Sequence, residues 1–117
     1  MGQGVNPHAI TVNIERCIAR LESLAEELAS LAYESANAEA TFKAAYATTK
    51  LNHRATMKEK PTEALLTDLA DSETEELRLN YLIASAKLDA ARQALRATTS
   101  QLDGLRTLSA GVRSAGG

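Results

Sequence analysis

Apolar positions recur at alternating intervals of four and three residues in two long stretches of the chain, one on each side of Pro61. This spacing is typical of the seam between two supercoiled helices. The larger side chains of the seam are Leu21, Leu24, Leu28, Leu31, Phe42, Leu77, Tyr81, Leu88, Leu95, Leu102 and Leu105. The pattern predicts two long helices, and strand propensity is nearly absent from the chain.

The two stretches mirror each other about Pro61. If the chain folds back there, Phe42 faces Tyr81 and Leu28 faces Leu95. The sequence therefore predicts an all-α fold: a long antiparallel helical hairpin of the coiled-coil type, with helices over about residues 11–57 and 62–112.

Helix start and stop signals give the expected domain limits. Residues 1–9 contain two Gly, one Pro and no apolar period, so we expect a flexible leader there. Residues 10–113 form a single helical-hairpin domain, with the turn at about 57–63 because the residue before a proline is pushed out of the helical region. Residues 114–117 are expected to be a disordered tail.

Capping residues suggest where the helices begin. Thr11 or Asn13 is the candidate N-cap of the first helix. In the second arm, Ser72 precedes Glu75 at the spacing of a capping box, so a break near residues 68–72 is one alternative. A continuous second helix is the favoured one.

The charge pattern supports the antiparallel arrangement. Acidic side chains dominate residues 15–39, the facing part of the second arm is mostly basic, and the signs reverse nearer the turn. Exposed ion pairs contribute only about 0.2–1 kcal/mol each, so we expect them to select orientation and register. The alternative is that these are ordinary solvated faces.

A second strip of apolar and small residues lies beside each seam. It comprises Ile18, Ala25, Ala32, Tyr46, Ile83, Ala90 and Ala94. A face this broad predicts more than one partner helix. We therefore expect a homo-oligomer, a dimer or higher, in which hairpins pair as a four-helix bundle.

Composition argues against most reactive chemistry. The chain has 117 residues, no Trp, one Cys and two His. Cys17 falls on the seam and is expected to be a core residue, and His8 and His53 lie at opposite ends of the predicted hairpin, too far apart to share a metal. We expect no catalytic residue, no cofactor and no metal site, and therefore no enzyme.

The distribution of charge and hydropathy bears on partners and location. A net charge of -2 argues against a general polyanion binder. No stretch approaches the roughly 20 apolar residues of a membrane span, and the first residues lack the features of a secretory leader. We expect no membrane association and a cytoplasmic protein.

Basic residues nevertheless follow the second arm toward its end. The candidate nucleic-acid strip comprises Lys87, Arg92, Arg96, Arg106 and Arg113. Such residues would contact phosphates. The favoured interpretation is a solvated face that complements the acidic first arm, because no aromatic residues are interleaved to stack on bases.

Two segments resemble a group of small helical proteins encoded by tailed phages of actinobacteria. They are Ala-Glu-Ala-Thr-Phe-Lys-Ala-Ala-Tyr-Ala (38–47) and Leu-Asp-Gly-Leu-Arg-Thr-Leu-Ser-Ala-Gly-Val-Arg (102–113). The resemblance implies a phage accessory protein in the host cytoplasm, linked to DNA replication or recombination and without assigned catalytic residues. Phe42, Lys43 and Tyr46 match the family's segment before the turn.

The small secreted hairpins of type VII secretion share the predicted architecture. Their Trp-x-Gly turn is absent, and Lys-Glu-Lys-Pro occupies the turn here. The leading hypothesis is a non-enzymatic, self-associating helical scaffold. A nucleic-acid-binding accessory and a type VII-like secreted hairpin are the alternatives.

Overall fold

The computed structural model describes residues 6–116, and the side chains of residues 6–115. It contains α1 (Pro7–Thr56), α2 (Glu63–Glu73) and α3 (Glu75–Gly116), and no strand occurs in that part of the chain. The predicted all-α class and helical hairpin are confirmed: α1 is the first arm, and α2 with α3 is the second. Pairing into a four-helix bundle stays a prediction.

The first helix begins earlier than predicted. Asn6 is its N-cap, since the Asn6 Oδ1 accepts from the His8 N–H at 2.9 Å and the Asn6 carbonyl accepts from the Ile10 N–H at 3.1 Å. Pro7 occupies the first helical position, where its missing N–H costs nothing. The predicted caps Thr11 and Asn13 are therefore wrong. Residues 7–9 belong to α1, whereas residues 1–5 of the predicted leader lie outside the described residues.

The turn lies where the sequence predicts it. α1 ends at Thr56, and α2 begins at Glu63 after an N-cap at Thr62 with extended backbone (φ -75°, ψ 156°). The Leu65 N–H donates to the Thr62 Oγ1 at 3.2 Å, so one free amide of the first turn has a partner. Pro61 precedes the cap.

The predicted continuous second helix is wrong, because Thr74 separates α2 from α3. Its backbone angles (φ -110°, ψ 13°) depart from helical values, and its N–H and hydroxyl both donate to the Ala70 carbonyl, at 3.0 and 2.6 Å. The seam continues through this segment at Leu66, Ala70, Thr74 and Leu77, which are buried or half-buried. Their steps of four, four and three residues give a repeat of eleven residues in place of seven. A change of repeat requires a local change in helix winding, and the irregular residue falls within it.

The end of α3 also differs from the prediction. The helix continues through Gly104 and Gly111 to Gly116, so residues 114–116 of the predicted tail are helical. Neither glycine has positive φ, so neither terminates the helix. Val112 is half-buried, and this packing helps to offset the roughly 1 kcal/mol that each glycine costs a helix interior.

The described chain divides into two compact units, and each contains part of α1 and part of the second arm. The first comprises residues 6–29 and 89–116. Its buried apolar side chains are Ile10, Cys17, Leu24, Ala91 and Leu102. Four further seam residues are half-buried: Leu21, Leu28, Leu95 and Leu105.

The second unit comprises residues 30–88. Its buried side chains are Ser35, Leu66, Ala70, Thr74 and Leu88. The seam residues Leu31, Phe42, Leu77 and Tyr81 are half-buried. Leu66 and Ala70, fully enclosed here, were not among the predicted seam residues.

Candidate interaction surface

An apolar face on the outside of α3 is the most prominent surface feature of the second unit. Leu79, Leu82 and Ile83 are 54%, 48% and 46% exposed, and Ala86 beside them is also exposed. They recur at the i, i+3, i+4, i+7 spacing of one helix face. At about 100° per residue this face lies opposite the seam residues of the same stretch. We call these four residues the α3 apolar face.

Charged residues border this face at both ends. Glu75 and Glu76 lie seven residues before Leu82 and Ile83, on the same two rows of α3, and both are exposed. Lys87 directly follows Ala86 at the other end. None of the three forms an ion pair with another residue between 6 and 115. Charges of both signs occur at each end, because Arg78 is exposed beside Glu75 and Asp89 is exposed seven residues after Leu82.

The residues predicted as an oligomer interface occupy several different environments. Ile18, Ala25 and Ala32 on α1 are exposed, and so are Ile83 and Ala90 on α3. Ala94 is half-buried.

Tyr46, the remaining predicted interface residue, is engaged within the second unit. Its ring meets the Phe42 ring edge-on at a centroid distance of 6.0 Å, and the Lys50 Nζ lies 5.2 Å from its ring centroid. Leu79 and Leu82 were not among the predicted residues, although they share one helix face with the predicted residue Ile83. Placing them on the rows opposite the seam would have revealed them.

A charged and aromatic cluster joins α1 to α3 in the second unit. The Lys43 Nζ donates to the Glu39 Oε1 at 2.8 Å. This bond, together with the nearby Tyr81 hydroxyl, holds the pKa of Glu39 below its ordinary value. The Glu39 carboxylate in turn raises the pKa of Lys43 and the pKa of Tyr81. The Glu39 carboxylate of α1 and the Tyr81 hydroxyl of α3 therefore interact across the two arms of the hairpin.

A second group of charges stands at the turn. The Glu63 carboxylate accepts from the Lys50 Nζ at 2.8 Å and from the Arg54 Nη2 at 3.2 Å, and the Lys50 bond is the main cause of its lowered pKa. The His53 Nε2 lies 2.7 Å from the Glu73 Oε2. Opposite signs therefore meet near the turn, as the charge pattern predicts.

Away from the turn, the acidic part of α1 does not form ion pairs with α3 among the described residues. Among residues 6–115, no ion pair joins the acidic stretch 15–39 of α1 to a basic residue of α3. Glu39 instead binds Lys43 within its own helix. That the facing charges of this stretch select orientation and register stays a prediction, and they do so without ion pairs within 4.0 Å among the described residues.

The candidate nucleic-acid strip is only partly continuous. Arg92 approaches the Asp89 Oδ1 at 3.5 Å. Arg96, Arg106 and Arg113 are exposed and form no ion pair within the described residues. Lys87 lies five residues before Arg92, which turns it about 140° around α3. The strip is therefore an arginine row without Lys87.

Two shallow grooves lie on the surface, one in each unit. One in the first unit is lined by Asn13, Arg16, Cys17, Arg20, Thr98 and Gln101. The other, in the second unit, is lined by Thr49, Asn52, His53, Thr56 and Glu73. No group of three or more His, Cys, Asp or Glu side chains within the described part of the chain could hold a metal ion.

Comparison of the chain with protein-family models, with curated proteins and with solved structures finds no match in any of the three. Within the described residues, none of the helices carries an apolar stretch long enough to cross a membrane.

Proposed function

We propose that this protein is a non-enzymatic helical scaffold that self-associates and presents helix faces to partner proteins. The observation that carries the proposal is the α3 apolar face. The seam of α3 is already occupied by α1, yet Leu79, Leu82 and Ile83 remain about half exposed on the other side of the same helix.

Covering the α3 apolar face with a partner would be favourable, because buried apolar side chains have a lower free energy than exposed ones. Full burial of a Leu or Ile side chain is worth about 1.5–3 kcal/mol relative to exposure. Three such side chains clustered on one face offer a partner a contiguous contact, whereas isolated exposed leucines need no explanation. A second helix face is the natural complement, because the spacing of the cluster matches one side of a helix.

A phage accessory role in the host cytoplasm, linked to replication or recombination, is the biological setting we propose. It rests on the resemblance of residues 38–47 and 102–113 to the phage-encoded hairpins. A scaffold of this kind would act by holding partners together.

The test is the native mass of the protein by light scattering and sedimentation over a wide concentration range. We expect the mass to rise with concentration above that of one chain. Adding single-stranded DNA should leave the mass unchanged. A mass that stays at one chain up to the highest soluble concentration would contradict the proposal.

A second candidate function is nucleic-acid binding by the arginine row. Its support is that Arg96, Arg106 and Arg113 are exposed without ion-pair partners in the described residues. Replacing all three with Gln should abolish any binding of a labelled oligonucleotide at low salt, whereas Lys87→Gln should leave it intact. Equal losses in the two variants would show nonspecific attraction to the whole surface.

A further inference from the structure

We propose that the groove between α1 and α3 in the first unit binds a phosphate group, with Arg16 and Arg20 as its cationic ligands. The groove is lined by Asn13, Arg16, Cys17 and Arg20 of α1 and by Thr98 and Gln101 of α3. The phosphate can be free inorganic phosphate or the terminal group of a small phosphomonoester. This inference is separate from the proposed self-association, because it concerns a polar groove within one unit.

The two arginines are like charges on successive turns of α1. Because they are four residues apart, they are neighbours on one face of the helix, and like charges at this spacing destabilise a helix. No acidic residue lies three or four positions before or after either of them. Neither forms an ion pair with another described residue, whereas Lys43 and Arg92 pair with acids at these spacings. An anion in the groove would therefore offset a repulsion that no neighbouring side chain relieves.

The acidic residues nearest in sequence lie on other faces or farther along the helix. Glu15 and Glu22 are one and two residues from an arginine, and residues at these spacings do not face each other. The same holds on α3 for Asp103, two residues after Gln101. Glu27 shares the face of the arginines but lies seven residues beyond the second one, about 10 Å along the axis. The walls of the groove thus contain two cations and no acid.

Neutral donors complete the groove. The side-chain amides of Asn13 and Gln101 form no hydrogen bond within the described part of the chain, and each has two N–H donors. The Thr98 hydroxyl already donates to the Ala94 carbonyl at 2.8 Å, so it is not available as a donor to an anion. Donors therefore come from both helices, two guanidinium groups and one amide from α1 and one amide from α3.

This donor set matches a phosphate group better than a carboxylate. A phosphate dianion has two negative charges and three terminal oxygens, so it can neutralise both arginines and accept from each planar guanidinium fork. A carboxylate has one charge and would leave one arginine without a counter-charge. The groove is open to solvent, and salt screens exposed charges. We therefore expect weak binding that weakens further as the salt concentration rises.

The first experiment is a titration of the ¹⁵N-labelled full chain with sodium phosphate at neutral pH and constant low ionic strength, followed by NMR. The side-chain amides of Asn13 and Gln101 should shift and saturate. Arg16→Gln combined with Arg20→Gln should weaken binding at least ~10-fold. The charge-matched control is Lys58→Gln combined with Lys60→Gln, which removes two exposed charges in the turn and should bind phosphate as the wild type does.

The second experiment tests the contribution of α3. Gln101→Glu places a carboxylate on the α3 wall of the groove, where it competes for the arginines, and phosphate binding should be lost. Gln93→Glu is the matched control, because Gln93 is an exposed residue of α3 outside the groove and the change in charge is the same. Binding by this control should equal that of the wild type. Far-ultraviolet circular dichroism should show unchanged helix content in every variant.

Titrations with ribose 5-phosphate and with acetate identify the anion. Tighter binding of ribose 5-phosphate than of inorganic phosphate would assign the site to a phosphomonoester, and equal binding would assign it to the phosphate group alone. Acetate that binds as tightly as phosphate would overturn the choice of anion. The site itself would be overturned by shifts that do not saturate, or by equal losses of binding in the arginine and lysine variants.

Discussion

The Phe42 ring on α1 stacks on the Tyr81 ring on α3, with their centroids 6.3 Å apart and their planes inclined by 15°. The heptad register places these residues opposite each other, and the structure brings them together within the second unit. The Phe42 ring also contacts Tyr46, so it holds two neighbours at once.

Replacing Phe42 with Ala should therefore destabilise the protein. The ring is half-buried, so we expect a loss of about 2 kcal/mol, below the 3–5 kcal/mol typical of fully buried Phe. The measurement is urea unfolding followed by circular dichroism. Tyr33→Ala is the control, since Tyr33 is 74% exposed and its loss should stay within about 0.5 kcal/mol. Equal effects would mean that the stack contributes nothing.

The Glu63 ion pairs predict a pH dependence of stability. The folded-state pKa of Glu63 lies below its ordinary value of 4.5, so its contribution is fully present above about pH 4.5 and is lost as pH falls through the folded pKa. Glu63→Gln should lower Tm at pH 7, and this difference should shrink progressively as the pH falls below 4.5. Glu59→Gln, a change in the turn without an ion pair, is the control.

Lys50, the partner of Glu63, sets the upper pH limit of the stabilisation by this ion pair. Its folded-state pKa is raised above 10.5 by the bond to Glu63, so its contribution is present below that pH and is lost as pH rises through the folded pKa. A Tm difference between wild type and Glu63→Gln that does not shrink as the pH is lowered from 4.5 to the acid unfolding of the protein would contradict the assignment of these ion pairs.

A charged side chain at position 74 should destabilise the protein, although the flanking residues Glu73 and Glu75 are charged and exposed. It is only 2% exposed, and Thr74→Glu would place a carboxylate among Leu66, Ala70 and Leu77. We expect a loss of about 2–4 kcal/mol by chemical denaturation. The charge-matched control, Ser72→Glu, changes an exposed residue of α2 and should be nearly neutral. If both variants behave alike, Thr74 is not enclosed in solution.

A disulfide should form across the seam of the first unit. Leu28 and Leu95 are both half-buried there, and their register makes them neighbours. In a Cys17→Ala background, Leu28→Cys with Leu95→Cys should oxidise within one chain at high dilution, as seen by non-reducing electrophoresis. The pair Leu28→Cys with Ala97→Cys is the control, because Ala97 is exposed on α3. Intermolecular products alone would contradict the hairpin.

Periodicity alone determined much of the fold. The alternating steps of four and three specify which side of each helix is apolar, and Pro61 specifies where the direction reverses. All the predicted large seam residues are buried or half-buried, from Leu21 in α1 to Leu105 in α3. The reason is that helix formation and the direction of an apolar stripe depend on residues within a few turns of each other.

Only the tertiary structure decided the break at Thr74, the burial of Leu66 and Ala70, and the ion pairs that form. The break depends on how the winding of the second arm adapts to α1, and ion pairing depends on which side chains come within about 4 Å. Leu79 and Leu82 show the same limit. A leucine in a helix can face a neighbour or solvent, and its exposure follows from the rotation of α3 that the packed seam imposes.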